Sequence, residues 1–297
     1  MDGLLLVDKP TGVTSADVVR VVKRRWRGRT GHLGTLDPFA SGLLPICVGE
    51  GTKIAQFLNG ADKVYVGRIR LGTRTDTADP TGAVVATAPV HPTTVRDLEQ
   101  VRQRFLGEIR QTPPMYSALK RNGTPLYQLA RRGLEVERAP RPVRIHDLAL
   151  SLIDASLLAF SVSCSKGTYV RVLAEDLAAA LGTVGHLETL RRTRFGSFRI
   201  EDAVGLEPWP AEHLPVVGLR EALSDLREFR VDASGAEQLR RGQAAPLDAL
   251  GGVTPAETAK VVDPNGALVA VIVMGTTGRW RFARVFASPA APDVRCG

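Results

Sequence analysis

Cysteine is scarce in this chain of 297 residues: Cys47, Cys164 and Cys296 make an odd, scattered three. That excludes a disulfide framework and the ligand spacing of a structural zinc site, and it points to a reducing cytoplasm. Long apolar runs are missing as well. The longest, 267–274, covers eight residues, whereas a spanning helix needs roughly 20. The opening Met1-Asp2-Gly3 carries no basic segment and the apolar stretch behind it is only Leu4–Val7, so no signal peptide is expected. Several catalytic signatures are also absent. Gly49-Glu50-Gly51-Thr52-Lys53 has the composition of a phosphate loop without its spacing. No H-E-x-x-H occurs, and His32, His91, His146, His186 and His213 stand apart. S-x-x-K appears at Ser117–Lys120 and Ser163–Lys166, but without the S-D-N and K-T-G companions of serine acyl-transfer enzymes. Lysine is rare too, seven against 32 arginines.

What the chain does have is arginine and net positive charge. Apolar residues make up 44% and charged residues 24%, a globular composition, and 39 basic against 31 acidic residues leave +8. Arginine offers a planar fork for phosphate and a face that stacks on bases. A GC-rich coding sequence accounts for the arginine excess equally well, but the net basicity favours a polyanionic partner. Three clusters carry it: Arg20, Lys23, Arg24, Arg25, Arg27 and Arg29; seven basic residues from Lys120 to Arg144; and Arg191, Arg192, Arg194 and Arg199.

Periodicity outlines the elements. Leu4–Val7 reads as a strand, and Thr14 or Ser15 caps a helix carrying Val18, Val21, Val22 and Trp26. Asp37-Pro38 has the form of a helix N-cap followed by proline. Lys53–Leu58 reads as a short helix. Val64–Leu71 alternates, with Tyr65, Gly67, Ile69 and Leu71 on one face and Arg68 and Arg70 on the other. Thr94–Phe105 forms an amphipathic helix with Val95, Leu98, Val101 and Phe105 in one stripe. Gln111–Pro142 is basic and loop-rich, with a helical patch at Tyr127–Arg132. Leu158–Cys164 alternates as a strand, and a helix from Val170 ends at Gly182. From about Arg227 the pattern is mostly β, with Asn265-Gly266 marking a hairpin, and the tail after Ser288 is expected to fray. Two units are expected, 1–226 with an insertion at about 117–141, and 227–297.

The segment from Gly31 to Pro45, GHLGTLDPFASGLLP, holds three glycines, two prolines, one carboxylate and one imidazole. On local chemistry alone Asp37 is most simply a cap. The segment resembles the signature of the TruB family of tRNA pseudouridine synthases. Leu5–Gly12, Lys63–Tyr65, Leu71–Thr77, Pro114–Lys120, Cys164–Arg171 and Leu190–Arg192 resemble further family blocks, in the same order, over about residues 3–200.

The resemblance implies an α+β fold: a mixed, largely antiparallel sheet with helices and an RNA-binding insertion, followed by a small β-barrel-like domain of PUA type. Leu239-Arg240-Arg241-Gly242-Gln243 is the main cue for the latter, and a generic small barrel is the alternative. It implies isomerisation of uridine to pseudouridine at position 55 in the T-loop of tRNA, after the base has left its stack. Asp37 matches the catalytic aspartate, Tyr65 the tyrosine that stacks on the uracil, and Arg171 the arginine paired with the carboxylate. Tyr169 and Leu190 match pocket residues, and His32 an RNA contact. Lys9 and Lys53 match lysines near the site, and Lys120 lies in the RNA-binding insertion. Bond exchange without redox change or net hydrolysis needs no metal or cofactor. No membrane or protein partner is implied, and a monomer is expected. A non-catalytic RNA-folding factor and a nucleobase glycosylase are the competing readings. Two physical expectations follow: Arg171 lies within about 4 Å of Asp37, and the pairing lowers the Asp37 pKa.

Overall fold

The computed structural model describes residues 2–26, 28–117, 119–121, 123–130, 132–206, 209, 214–251 and 256–287, with backbone alone for Lys120, Arg121, Pro125 and Tyr127. Arg27, Arg131, His213, Cys296 and the tail beyond Ala287 lie outside it. The described residues form an 11-stranded mixed sheet. Its strands run across in the order Gly3–Lys9, Ser41–Val48, Gly185–Phe195, Lys63–Leu71, Leu157–Cys164, Arg141–Asp154 and Gly107–Gln111. All these neighbours are antiparallel except Ser41–Val48 beside Gly185–Phe195, which is parallel.

The central strand Lys63–Leu71 shows how pattern becomes structure. Tyr65, Ile69 and Leu71 are buried while Val66 and Arg68 are exposed, as a period of two demands. One core fills the space between this face and the helices Ser15–Arg25, Val95–Phe105 and Val170–Ala180. Ser15–Arg25 is started by a capping box: the Thr14 side chain accepts from the Asp17 N–H, and the Asp17 carboxylate accepts from the Thr14 N–H. Such a cap contributes about 1 kcal/mol. Val95–Phe105 begins the same way at Thr94 and Asp97. Its expected stripe is narrower than drawn: Leu98 and Val101 are buried, but Val95, at the first position, is 84% exposed.

Asp37-Pro38 starts no helix. The chain makes a tight turn there, with the Ala40 N–H donating to the Asp37 carbonyl at 3.1 Å, and passes directly into the strand Ser41–Val48. In the insertion, Lys120–Arg121 pairs with Thr124–Pro125 and is followed by the short helix Leu126–Ala130.

The C-terminal part forms a four-stranded sheet, Arg227–Arg230, Thr258–Val262, Leu268–Met274 and Trp280–Val285, in that order. It also holds a helix, Ala233–Arg240, that the mostly β pattern does not foretell. Leu268, Val271 and Phe286 pack in one cluster with Leu4, Leu6, Cys47 and Ile54 of the large sheet and its flanking helix, so the two sheets share a core. Lys53 reinforces the seam, donating to the Val285 carbonyl and lying 5.7 Å from the Phe286 ring centre. Phe286 is 1% exposed. Phe286→Ala is expected to cost the whole molecule about 3–5 kcal/mol in equilibrium unfolding, as a cavity in a packed core does; a loss under about 1 kcal/mol would show the seam to be loose.

Candidate active site

The Asp37 turn is held from several sides by groups that bind its backbone. The Ser15 hydroxyl donates to the Leu36 carbonyl at 3.1 Å and accepts from the Leu36 N–H at 2.9 Å. Lys9, fully buried, donates to the carbonyls of Pro10, Val13 and Pro38. Arg192, 1% exposed, donates to the carbonyls of Leu43 at 2.7 Å and Gly34 at 2.8 Å. Gly42 makes the approach possible. Its φ is +105°, and a Cβ there would sit 2.2 Å from the Arg192 carbonyl oxygen.

Arg171 reaches the turn from the first turn of the helix Val170–Ala180. Its Nε donates to Asp37 Oδ2 at 2.9 Å. The fork does not grip Asp37 with two bonds. Nη1 donates to the Thr77 carbonyl at 3.0 Å and Nη2 to the Tyr116 carbonyl at 2.7 Å. Asp79, itself buried, stands 4.0 Å away across the same guanidinium, fixed by donors from Thr77 and Thr81. The Arg171 side chain is 6% exposed and that of Asp37 37%. The carboxylate is therefore partly open to solvent while its cation is buried.

The expected fall in the Asp37 pKa does not occur. Burial raises it above the ordinary carboxylate range, Arg171 pulls it down, the Asp79 charge pushes it up again, and the Arg171 hydrogen bond and Lys9 pull down. Desolvation and the second carboxylate outweigh the two cations.

Tyr65 and Tyr169 both feel the Asp37 charge. Tyr65 is 9% exposed; burial raises its pKa and the neighbouring Arg192 opposes the rise, so its hydroxyl keeps its proton at neutral pH. Tyr169 precedes the Arg171 helix, half-buried, its N–H donating to Gln111 Oε1 at 3.0 Å. Leu190 is buried opposite Gly67, two residues along the strand from Tyr65.

Other expected residues sit differently. Lys53 engages Glu50 and the C-terminal seam. His32 is half-buried with its Nδ1 lacking a hydrogen-bond partner among the described residues; burial, then Arg192, lowers its pKa, so it meets a ligand as a neutral imidazole. The side chain of Lys120 lies outside the described residues. The basic clusters divide as well. Arg20, Lys23, Arg24, Arg25 and Arg29 are exposed, as are Arg132, Arg141 and Arg144. The third cluster is not one surface, because strand alternation sends neighbours to opposite faces: Arg191 binds Asp8 with both arms, at 3.0 and 2.7 Å, while Arg192 is interior. Arg240 is a brace, 2.7 Å from Asp263. Sequence reasoning missed Asp79, whose only local signal is the Asp79-Pro80 step, an ordinary turn pattern.

Lys9 carries a pH signature. Desolvation first of all lowers its pKa to about 8, with Asp37 opposing. Its folded value lies below the unfolded 10.5, so between those limits the unfolded chain binds more protons, and the contribution of Lys9 to stability rises with pH. The stability of the wild type relative to Lys9→Met is expected to improve from pH 7.5 to about 9.5 in denaturant titrations. A constant difference would contradict a buried, charged Lys9.

Comparisons with known proteins bear on the family of the chain. The family model described as "TruB family pseudouridylate synthase (N terminal domain)" matches residues 20–170, and "tRNA pseudouridylate synthase B C-terminal domain" matches 171–213. A protein of Aromatoleum aromaticum named tRNA pseudouridine synthase B is 49% identical over 262 residues, 84% of each chain. One of Geotalea uraniireducens with the same name is 39% identical over 295 residues, 96% of this chain and 95% of that one. A chain in the crystal structure of a Cbf5-Nop10-Gar1 complex shares the fold, with a TM-score of 0.71 at 24% identity over 96% of this chain and 85% of that one. On the matched models and the extent of these identities, the chain belongs to the TruB family of pseudouridylate synthases.

Proposed function

We propose that this chain isomerises uridine to pseudouridine in the T-loop of tRNA, at position 55, as a monomer in the bacterial cytoplasm and without a cofactor. One observation carries the reading: in a chain of this family, the only carboxylate of the Gly31–Pro45 segment is partly open to solvent while a buried arginine holds it at 2.9 Å.

The chemistry follows from the residues. Asp37 attacks either C1′ of the ribose or C6 of the uracil. The N1–C1′ bond breaks with its electron pair going to N1, the base turns, and C5 bonds to C1′; the bond from Asp37, displaced from C1′ by C5 or eliminated from C6, breaks and returns the carboxylate. C5 then gives up its proton and N1 gains one, so atoms and charge balance with nothing consumed. Tyr65 offers its ring face to the extruded base, and its protonated hydroxyl is available for proton transfer. Arg171 keeps Asp37 anionic against desolvation. Leu190 and Tyr169 wall the pocket. Extrusion costs a few kcal/mol, to be offset by these contacts. The exposed arginines of the helix Ser15–Arg25 and of 132–144 fit the phosphates of a folded RNA arm. The unit from Arg227, which we assign a PUA-type RNA-binding role, extends that surface; Arg241, exposed beside Glu237, is its candidate contact.

The test is purified protein with a tRNA transcript labelled in uridine, digested to nucleosides. Pseudouridine is the expected product. Free uracil would mean a glycosylase, and unchanged uridine with retained RNA binding would mean a folding factor; either would overturn the proposal.

A further inference from the structure

Arg192 is the largest side chain in the fully buried interior, and the mechanism above gives it no task. A buried guanidinium is expensive unless its donors are satisfied. For the half-buried Arg240 a carboxylate, Asp263, does that. The partners of Arg192 are instead backbone carbonyls: Leu43 through Nε at 2.7 Å, and Gly34 at 2.8 Å and Leu33 at 3.5 Å through Nη2. Those carbonyls lie on both sides of Asp37, three and four residues before it and six after. The backbone of Arg192 pairs with Gly42 on one side and with Tyr65 on the other, and its charge opposes the rise in the Tyr65 pKa. A single residue thus holds both ends of the Asp37 turn and pairs with the tyrosine proposed to stack on the base.

We propose that Arg192 is a positioning residue that fixes the distance between Asp37 and Tyr65, and so the gap in which the uracil sits. The inference rests on the isomerase reading. It assigns Arg192 no contact with RNA, because the side chain is closed to solvent. Gly34 and Gly42 belong to the same device. A Cβ at Gly34 would lie 3.0 Å from Arg192 Nη1, and one at Gly42 would meet the Arg192 backbone, so both glycines let the turn close on the guanidinium. A compact ammonium lacks the span of the planar fork, whose Nε and Nη2 take carbonyls on the two sides of the turn.

The experiment measures single-turnover pseudouridine formation at saturating tRNA, together with the tRNA Kd and its salt dependence, for wild type, Arg192→Met and Arg192→Lys, well below each melting temperature. An active wild type establishes the isomerase reading independently; an inactive one defeats that reading whatever the variants do. For Arg192→Met the rate is expected to fall about 100-fold, the loss typical of a misplaced reactive geometry, with Kd and salt slope unchanged. Arg192→Lys should lose about tenfold with Kd again unchanged, and it serves alone if Arg192→Met does not fold. In a Tyr65→Phe background, the Arg192→Lys loss should shrink, since part of it runs through the phenol. A wild-type rate in a folded Arg192→Lys, or a loss confined to Kd, would overturn the proposal, and so would a lowered melting temperature without a change in rate.

Discussion

Asp37→Asn is expected to bring pseudouridine formation to background while the variant folds and binds tRNA as the wild type does. The amide has the same shape and can still accept a hydrogen bond from Arg171, so the turn held by Ser15, Lys9 and Arg192 should persist. What disappears is an anion able to bond to carbon. A loss of at least about 10⁴-fold, roughly 5.5 kcal/mol of barrier, is expected; residual turnover within about tenfold of wild type would remove Asp37 from the chemistry. The wild type adds a second check. Its nucleophile must be ionised, and burial with Asp79 nearby raises its pKa. The rate should therefore fall on the acid side at a pH above that of an ordinary aspartate, and a limb in the ordinary range would contradict the observed crowding.

Arg171→Ala should be the second most damaging change, about 10³-fold in single-turnover rate. Asp37 and Asp79 would then face each other without the cation between them. Two neighbouring carboxylates cannot both ionise easily, so the Asp37 pKa rises further. Whatever activity remains should vanish at a higher pH than in the wild type, a shift that the loss of a surface charge would not produce. Arg171→Lys should recover little. The reason is not a lost two-bond grip on one carboxylate, which this site does not make. It is that an ammonium cannot meet Asp37, the Thr77 carbonyl and the Tyr116 carbonyl together in the plane that the guanidinium spans. Full rescue by lysine would mean that charge alone suffices.

How much of this could be read from the sequence depends on the range of the forces concerned. The strand Lys63–Leu71 and the helix Ser15–Arg25 were legible because alternation and a capping box act within a few residues. Asp37-Pro38 misled for the same reason: its local signal is a cap, but Lys9 and Ser15, more than twenty residues away, take the carbonyls and hold a turn. Arg192 read as one more surface charge, since nothing near it in sequence reveals Gly34 and Gly42 closing over it. The Asp37 pKa went the other way because burial outweighs Arg171, and Asp79, whose nearness the sequence does not show, adds to the rise. The helix Ala233–Arg240 had its signals, Asp232 as cap and Gly242 at its end, but Ser234 and Gly235 inside it weaken the helical pattern.

The core shared by the two sheets makes the molecule a ruler. A second unit on a flexible linker would raise the local concentration of a bound ligand but would leave the choice of reacting position to the pocket alone. Here Leu268, Val271 and Phe286 are fused to Leu4, Leu6 and Ile54, so any contact made by the C-terminal sheet stands at a set span from Asp37. An RNA arm held at both points would offer only the nucleotide at that span. Selection of one uridine among chemically identical ones then becomes a matter of length, and an arm lengthened or shortened by a base pair should present the wrong residue to a pocket that has not changed.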